Sequence, residues 1–124
     1  MYYLVAPNEL VVVGLLPGHP ALRAGPPRAV RYADKLATAQ VSGKRKRNAP
    51  ALGAGAVLAV VEAGGGGGAF EVRAGLPGKL LEVNQRVAAD PRLLAERPEA
   101  DGYLAVLQPV AKELRALRQR TEVF

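Results

Sequence analysis

Few residues in this chain of 124 could do covalent or metal chemistry. Its one histidine is His19, its one serine is Ser42, and it has no cysteine. A hydroxyl nucleophile with an imidazole base would have to come from that single pair, and nothing in the spacing brings them together. His19, between Gly18 and Pro20, has the setting of a turn residue. One imidazole among scattered carboxylates offers no metal-ligand spacing. Glu96, Glu99 and Asp101 cluster, but in a stretch that reads as connecting loop. The five glycines Gly64–Gly68 invite a phosphate-cradle reading, yet that motif needs Gly-Lys-Ser/Thr opening a helix. Here Ala69-Phe70 and a strand pattern follow, so the glycines read as a mobile hairpin tip that contributes little to a core. The expectation is a non-enzymatic chain with no catalytic residue, metal, cofactor or small-molecule substrate.

The sharpest exposed feature is the basic run Lys44, Arg45, Lys46, Arg47, set between Gly43 and Asn48-Ala49-Pro50. It fits a short nuclear-import pattern, and it could equally touch phosphates, fill an acidic protein groove or be a solvated turn. Base stacking would need interleaved aromatics, and the nearest are Tyr32 and Phe70. The net charge is +6. Its excess lies in residues 1–58, which hold eight basic and two acidic side chains, and in the tail, while residues 79–109 are close to neutral. Such a patch is a footprint for nucleic acid, acidic protein or anionic membrane, or it simply keeps the domain soluble.

The elements that must position these residues form a single domain over 1–124, with 110–124 as a C-terminal helix or tail. Apolar residues make up 49% of the chain and aromatics 5%, so the core should be Val, Leu and Ala. That length buries a core without disulfides or metals. No apolar run approaches the ~20 residues that span a bilayer, and a soluble, intracellular protein is expected. Tyr2–Ala6 and Leu10–Leu16 read as a hairpin about Pro7-Asn8, and Pro17 to Pro20 ends its second strand. Residues 21–29 read as loop, Arg28–Tyr32 and Thr38–Ser42 as strands, and Ala56–Glu62 as a buried strand. Phe70–Ala74 alternates apolar and polar residues, Pro77-Gly78 turns the chain, and Lys79–Val83 follows. Leu81 and Val83 should both face apolar neighbours. Asp90-Pro91 predicts a helix start, with Asp90 as N-cap and Pro91 at the first position. Leu93 and Leu94 would be that helix's buried side, ended by Arg97-Pro98. Asp101-Gly102 leads to a last strand, Tyr103–Leu107. In Ala111–Phe124, Leu114 and Leu117 share one side of an amphipathic helix, which docks on the domain or, alternatively, on a partner.

The stretch "PGKLLEVNQRVAADPRLLAERPEADGYLAVLQP" resembles the second half of the glycine cleavage H protein. It is more similar still to the Abitram/Simiate family, described as actin-binding transcription modulators. Upstream, "VVVGLLPGHPAL" and "VSGKRKR" continue the likeness, and Asn84, Pro91, Pro98, Gly102 and Tyr103 stand where the pattern expects them. The resemblance implies a mainly β, lipoyl-like barrel-sandwich hybrid with a short internal helix and a C-terminal amphipathic helix. In that fold a hairpin presents the lysine that carries lipoate, shortly after a strand shaped like Val60-Val61-Glu62. Counting forward from Glu62 reaches Gly65, and counting back from Gly78 reaches Gly67. No lysine occurs between Lys46 and Lys79, and amide attachment of lipoate or biotin requires that amine. The chain therefore resembles a carrier that cannot be loaded at this hairpin. The resemblance further implies a protein partner, actin, in nucleus and cytoplasm. Alternatives are a structural docking subunit of a larger eukaryotic assembly and a nonspecific nucleic-acid or nuclear-body adaptor; no membrane partner is expected.

Overall fold

The computed structural model describes residues 1–33 and 50–123, with side chains as far as Leu117. Strands β1 (Tyr2–Val5) and β2 (Val11–Gly14) pair antiparallel, with Tyr3 opposite Val13. Asn8 makes the turn because its Oδ1 accepts from the Leu10 N–H at 3.2 Å, while Glu9 takes the left-handed conformation at φ 68°. After β2, His19 caps a single 3-10 turn over Pro20–Leu22, which buries Ala21 and Leu22 inside a segment expected to be plain loop.

The remaining strands are β3 (Ala29–Tyr32), β4 (Ala51–Leu52), β5 (Val57–Glu62), β6 (Ala69–Arg73), β7 (Gly78–Val83) and β8 (Ala105–Pro109). They form a five-stranded antiparallel sheet in the order β1-β2-β8-β7-β4 and a three-stranded one in the order β3-β5-β6. Both sheets send aliphatic side chains into one core. Val11, Val13, Leu80, Val83 and Leu107 come from the first, and Val30, Leu58, Val61 and Val72 from the second. This is the mainly β architecture expected, with its Val/Leu/Ala interior. No helix among the described residues is long and apolar enough to cross a membrane.

Three boundaries differ from the sequence reading. The β7–β8 register shifts between Leu80 and Glu82, so β7 carries a bulge. Leu80 and Val83 therefore both reach the core, whereas Leu81, though buried, lies outside that cluster. The bulge is what lets Leu80 and Val83, three residues apart, share the core face. Second, Asp90 is not an N-cap. Asn84 caps α1 (Gln85–Ala89), Asp90 ends it, and α2 (Leu93–Glu96) starts after Arg92 with no side-chain cap. Asp90 instead holds Arg92, Oδ1 to Nε at 3.0 Å. Third, β8 begins at Ala105 rather than Tyr103, and the two-residue β4 was unforeseen.

The C-terminal helix α3 (Ala111–Val123) packs on β1, with Leu114 buried in the core and Leu117 against it. The expected strand Thr38–Ser42 lies outside the described residues.

Candidate functional site

The hairpin between β5 and β6 is where this fold would present a functional group. The strands pair with Glu62 opposite Ala69 and Val61 opposite Phe70. Beyond them the Ala63 N–H donates to Gly68 O at 2.8 Å, and the Gly67 N–H to Gly64 O at 3.2 Å. Gly65, Gly66 and Gly68 have φ of 63°, 75° and 89°, the left-handed region that side chains disfavour. Gly64 is buried, and a Cβ there would stand 2.5 Å from the Pro26 carbonyl oxygen. Gly64, at the base of the tip, thus packs against the Gly25-Pro26-Pro27 loop, while Gly65–Gly68 are exposed.

A cleft of about 320 Å³ opens beside this tip, lined by Arg28, Glu62, Ala63, Gly66, Gly68 and Ala69. Its charged groups are organised around Glu62, whose Oε1 is 2.6 Å from Arg31 Nη1 and whose Oε2 is 4.0 Å from Arg28 Nη2. The hydrogen bond from Arg31, then its charge and that of Arg28, hold the Glu62 carboxyl below the usual carboxylate range. Among the described residues the cleft presents a guanidinium, a carboxylate and backbone, with no side-chain amine, thiol, hydroxyl or imidazole in its lining. It can hold polar groups by hydrogen bonds.

His19 sits nearby as the turn residue expected. Its Nδ1 accepts from the Ala21 N–H at 3.0 Å, and its ring stands edge-on to Phe70, centroids 6.0 Å apart. Burial, then the positive N-terminus and Arg23, push its pKa down. Ser42, the other half of the only conceivable pair, lies outside the described residues. So does the basic run Lys44, Arg45, Lys46 and Arg47. Lys79, the first lysine after that run, stands on β7 in the other sheet, away from the hairpin.

Of the carboxylates that cluster in sequence, Asp101 is held by ion pairs to Arg86 and Arg97, each at 3.3 Å. Its main-chain carbonyl accepts from Asn84 Nδ2 at 2.6 Å, and the same Nδ2 donates to Tyr103 O at 2.8 Å. Asn84 Oδ1 accepts from the Arg86 N–H at 3.1 Å. From the other sheet, Tyr32 Oη lies 2.9 Å from Asn84 O and 2.7 Å from Leu104 O and donates its one proton to either. Its pKa is pushed up, chiefly by burial. Tyr103 donates to Glu82 Oε1 at 2.8 Å, and burial, then this bond, raise its phenol to about 12. Among the described residues, no three His, Cys, Asp or Glu side chains are grouped so as to hold a metal ion.

Comparison with known proteins agrees with this geometry. The family model of the glycine cleavage H-protein matches residues 30–123. Proteins named Protein Abitram are similar over most of the chain. The one from Dictyostelium discoideum is 32% identical over 106 residues, which is 86% of this chain and 59% of that protein. The one from Gallus gallus is 32% identical over 122 residues, 90% of this chain and 67% of that one. The one from Homo sapiens is 30% identical over 117 residues, 90% and 64%. The chain thus spans about three fifths to two thirds of these relatives' length. A crystal structure of a glycine cleavage system H protein from Mycobacterium marinum superposes with a TM-score of 0.59 at 22% identity, covering 91% of this chain and 82% of that one.

Proposed function

We propose, for a chain that belongs to the Abitram family and has the fold of the glycine cleavage H protein, that the barrel serves as a protein-binding module. At the coarser level the chain is a non-catalytic, H-protein-like protein. The observation that carries the reading is the hairpin. Where the H-protein pattern presents a lysine, this chain has Gly64–Gly68, a glycine tip based on Pro26 at Gly64 with no amine on it. Lipoate joins its carrier through an amide, and no amide forms without the amine. What the fold retains is a rigid scaffold with charged surface, which suits recognition better than group carriage. Family resemblance supplies actin as the partner, with a nuclear role near transcription. The side chains offered for an acidic partner are Lys44, Arg45, Lys46 and Arg47.

Co-sedimentation with filamentous actin tests this. Changing all four basic residues to alanine should leave the fold intact and weaken binding. The loss should be largest at low salt and shrink as ionic strength passes ~0.15 M, where the Debye length is about 8 Å. A mixed-sequence RNA run alongside separates the nucleic-acid reading, which demands a steep fall of log affinity with log salt. Wild-type protein that fails to pellet with actin, or an adduct mass at lipoate's value on protein from its native source, refutes the proposal.

A further inference from the structure

Among the described residues, strand β6 is an edge of the three-stranded sheet, paired only with β5. Its ladder phase follows from the bonds that flank it: Ala63 N–H to Gly68 O and Ala74 N–H to Ala56 O, both at 2.8 Å. Antiparallel alternation then turns the N–H and C=O groups of Phe70 and Val72 toward β5, and those of Ala69, Glu71 and Arg73 outward. Among the described residues nothing pairs with those outward groups. The side chains of Ala69, Glu71 and Arg73 are exposed as well, while Val72 is buried. Charged side chains are one way natural edges are blunted against pairing with other chains. This edge carries two opposite charges two residues apart, both more than half exposed: Arg73 Nη2 is 3.4 Å from Glu71 Oε1, and Arg73 Nη1 donates to Gly55 O at 2.6 Å.

That order of charges is self-complementary. An antiparallel pair of β6 strands with its two-fold axis at Val72 sets Glu71 opposite Arg73 of the second copy, and Arg73 opposite the second copy's Glu71. Both positions have outward backbone groups, so the two pairs form closed hydrogen-bonded rings while the side chains meet on the outer face. Moving the axis to Glu71 sets the two Glu71 carboxylates against each other, and moving it to Phe70 pairs Glu71 with Ala69 and leaves the charges unmatched. We propose that β6 is a self-association edge, on which a second copy of this chain pairs about Val72 to join two three-stranded sheets into one of six strands. The short ladder makes this a weak, concentration-dependent dimer.

Charge reversal with sedimentation velocity on the whole chain tests it, each variant's fold checked by circular dichroism. Wild type should show a concentration-dependent dimer. Glu71→Arg and Arg73→Glu, each placing like charges opposite at both pairs, should each weaken self-association about tenfold or more. The double variant Glu71→Arg with Arg73→Glu should dimerise as wild type does. An equimolar mixture of the two single variants should form a heterodimer that neither forms alone. Protein that stays monomeric to about 1 mM, a Kd weaker than ~−4 kcal/mol of binding, overturns the proposal. So does a dimer that the single reversals leave unchanged, or one that the mixture fails to restore.

Discussion

Asn84 is 3% exposed, and its side chain makes three hydrogen bonds, two of them to a segment distant in sequence and one to the adjoining helix. Its Oδ1 caps α1, and its Nδ2 satisfies the carbonyls of Asp101 and Tyr103 at 2.6 and 2.8 Å. Asn84→Ala removes the cap, which is worth about 1 kcal/mol, and strips the donor from two partly buried carbonyls, which costs about 1–3 kcal/mol in all. The expected destabilisation is about 2–4 kcal/mol. Asn84→Asp keeps the shape and the cap but puts an oxygen where two carbonyl oxygens expect N–H. Its folded carboxyl must then titrate above the unfolded value of about 3.9. A raised folded pKa gives stability that is whole below the unfolded value and is lost as pH rises to the folded one, at ~1.4 kcal/mol per pH unit in between. Asn84→Asp should therefore be worst near neutrality and recover in acid, while Asn84→Ala should run parallel to wild type at every pH. Urea unfolding followed by circular dichroism between pH 3 and 8 reads both, with m-values checked for constancy. The reasoning fails if Asn84→Ala changes stability by less than about 0.5 kcal/mol, or if the aspartate variant shows the same pH dependence as the alanine one.

Two further outcomes follow from the hairpin. Gly64→Ala places a Cβ 2.5 Å from the Pro26 carbonyl oxygen and should cost about 1–3 kcal/mol. Gly18→Ala, whose Cβ would meet nothing within 4 Å, should stay within about 0.5 kcal/mol of wild type in the same melts. Glu62 should titrate by carboxyl NMR below the usual glutamate value, because Arg31 donates to it. Its contribution to stability is present above the unfolded value and lost as pH falls through the folded one, and Arg31→Ala should move the midpoint upward.

Much of the architecture is written in local chemistry. The alternation of Phe70–Ala74, the Pro7-Asn8 turn and the Leu114–Leu117 spacing each specify an element through interactions within a few residues, and each element stands where it was read. The absence of an amine at the hairpin is likewise a property of composition, needing no coordinates. The failures share one cause, since they depend on partners far along the chain. Asp90 looks like a better cap than Asn84 by its proline neighbour alone. Asn84 wins because the carbonyls of Asp101 and Tyr103 arrive to hold its amide. The β7 bulge exists only against β8, and it decides that Leu80 rather than Leu81 joins Val83 in the core. The glycine run reads as slack in sequence, yet Pro26, some forty residues earlier, makes Gly64 a packing position. The charge order of Glu71 and Arg73 is plain in the sequence. That the strand carrying it is an open edge was decided by the tertiary structure, because among the described residues the sheet ends at β6.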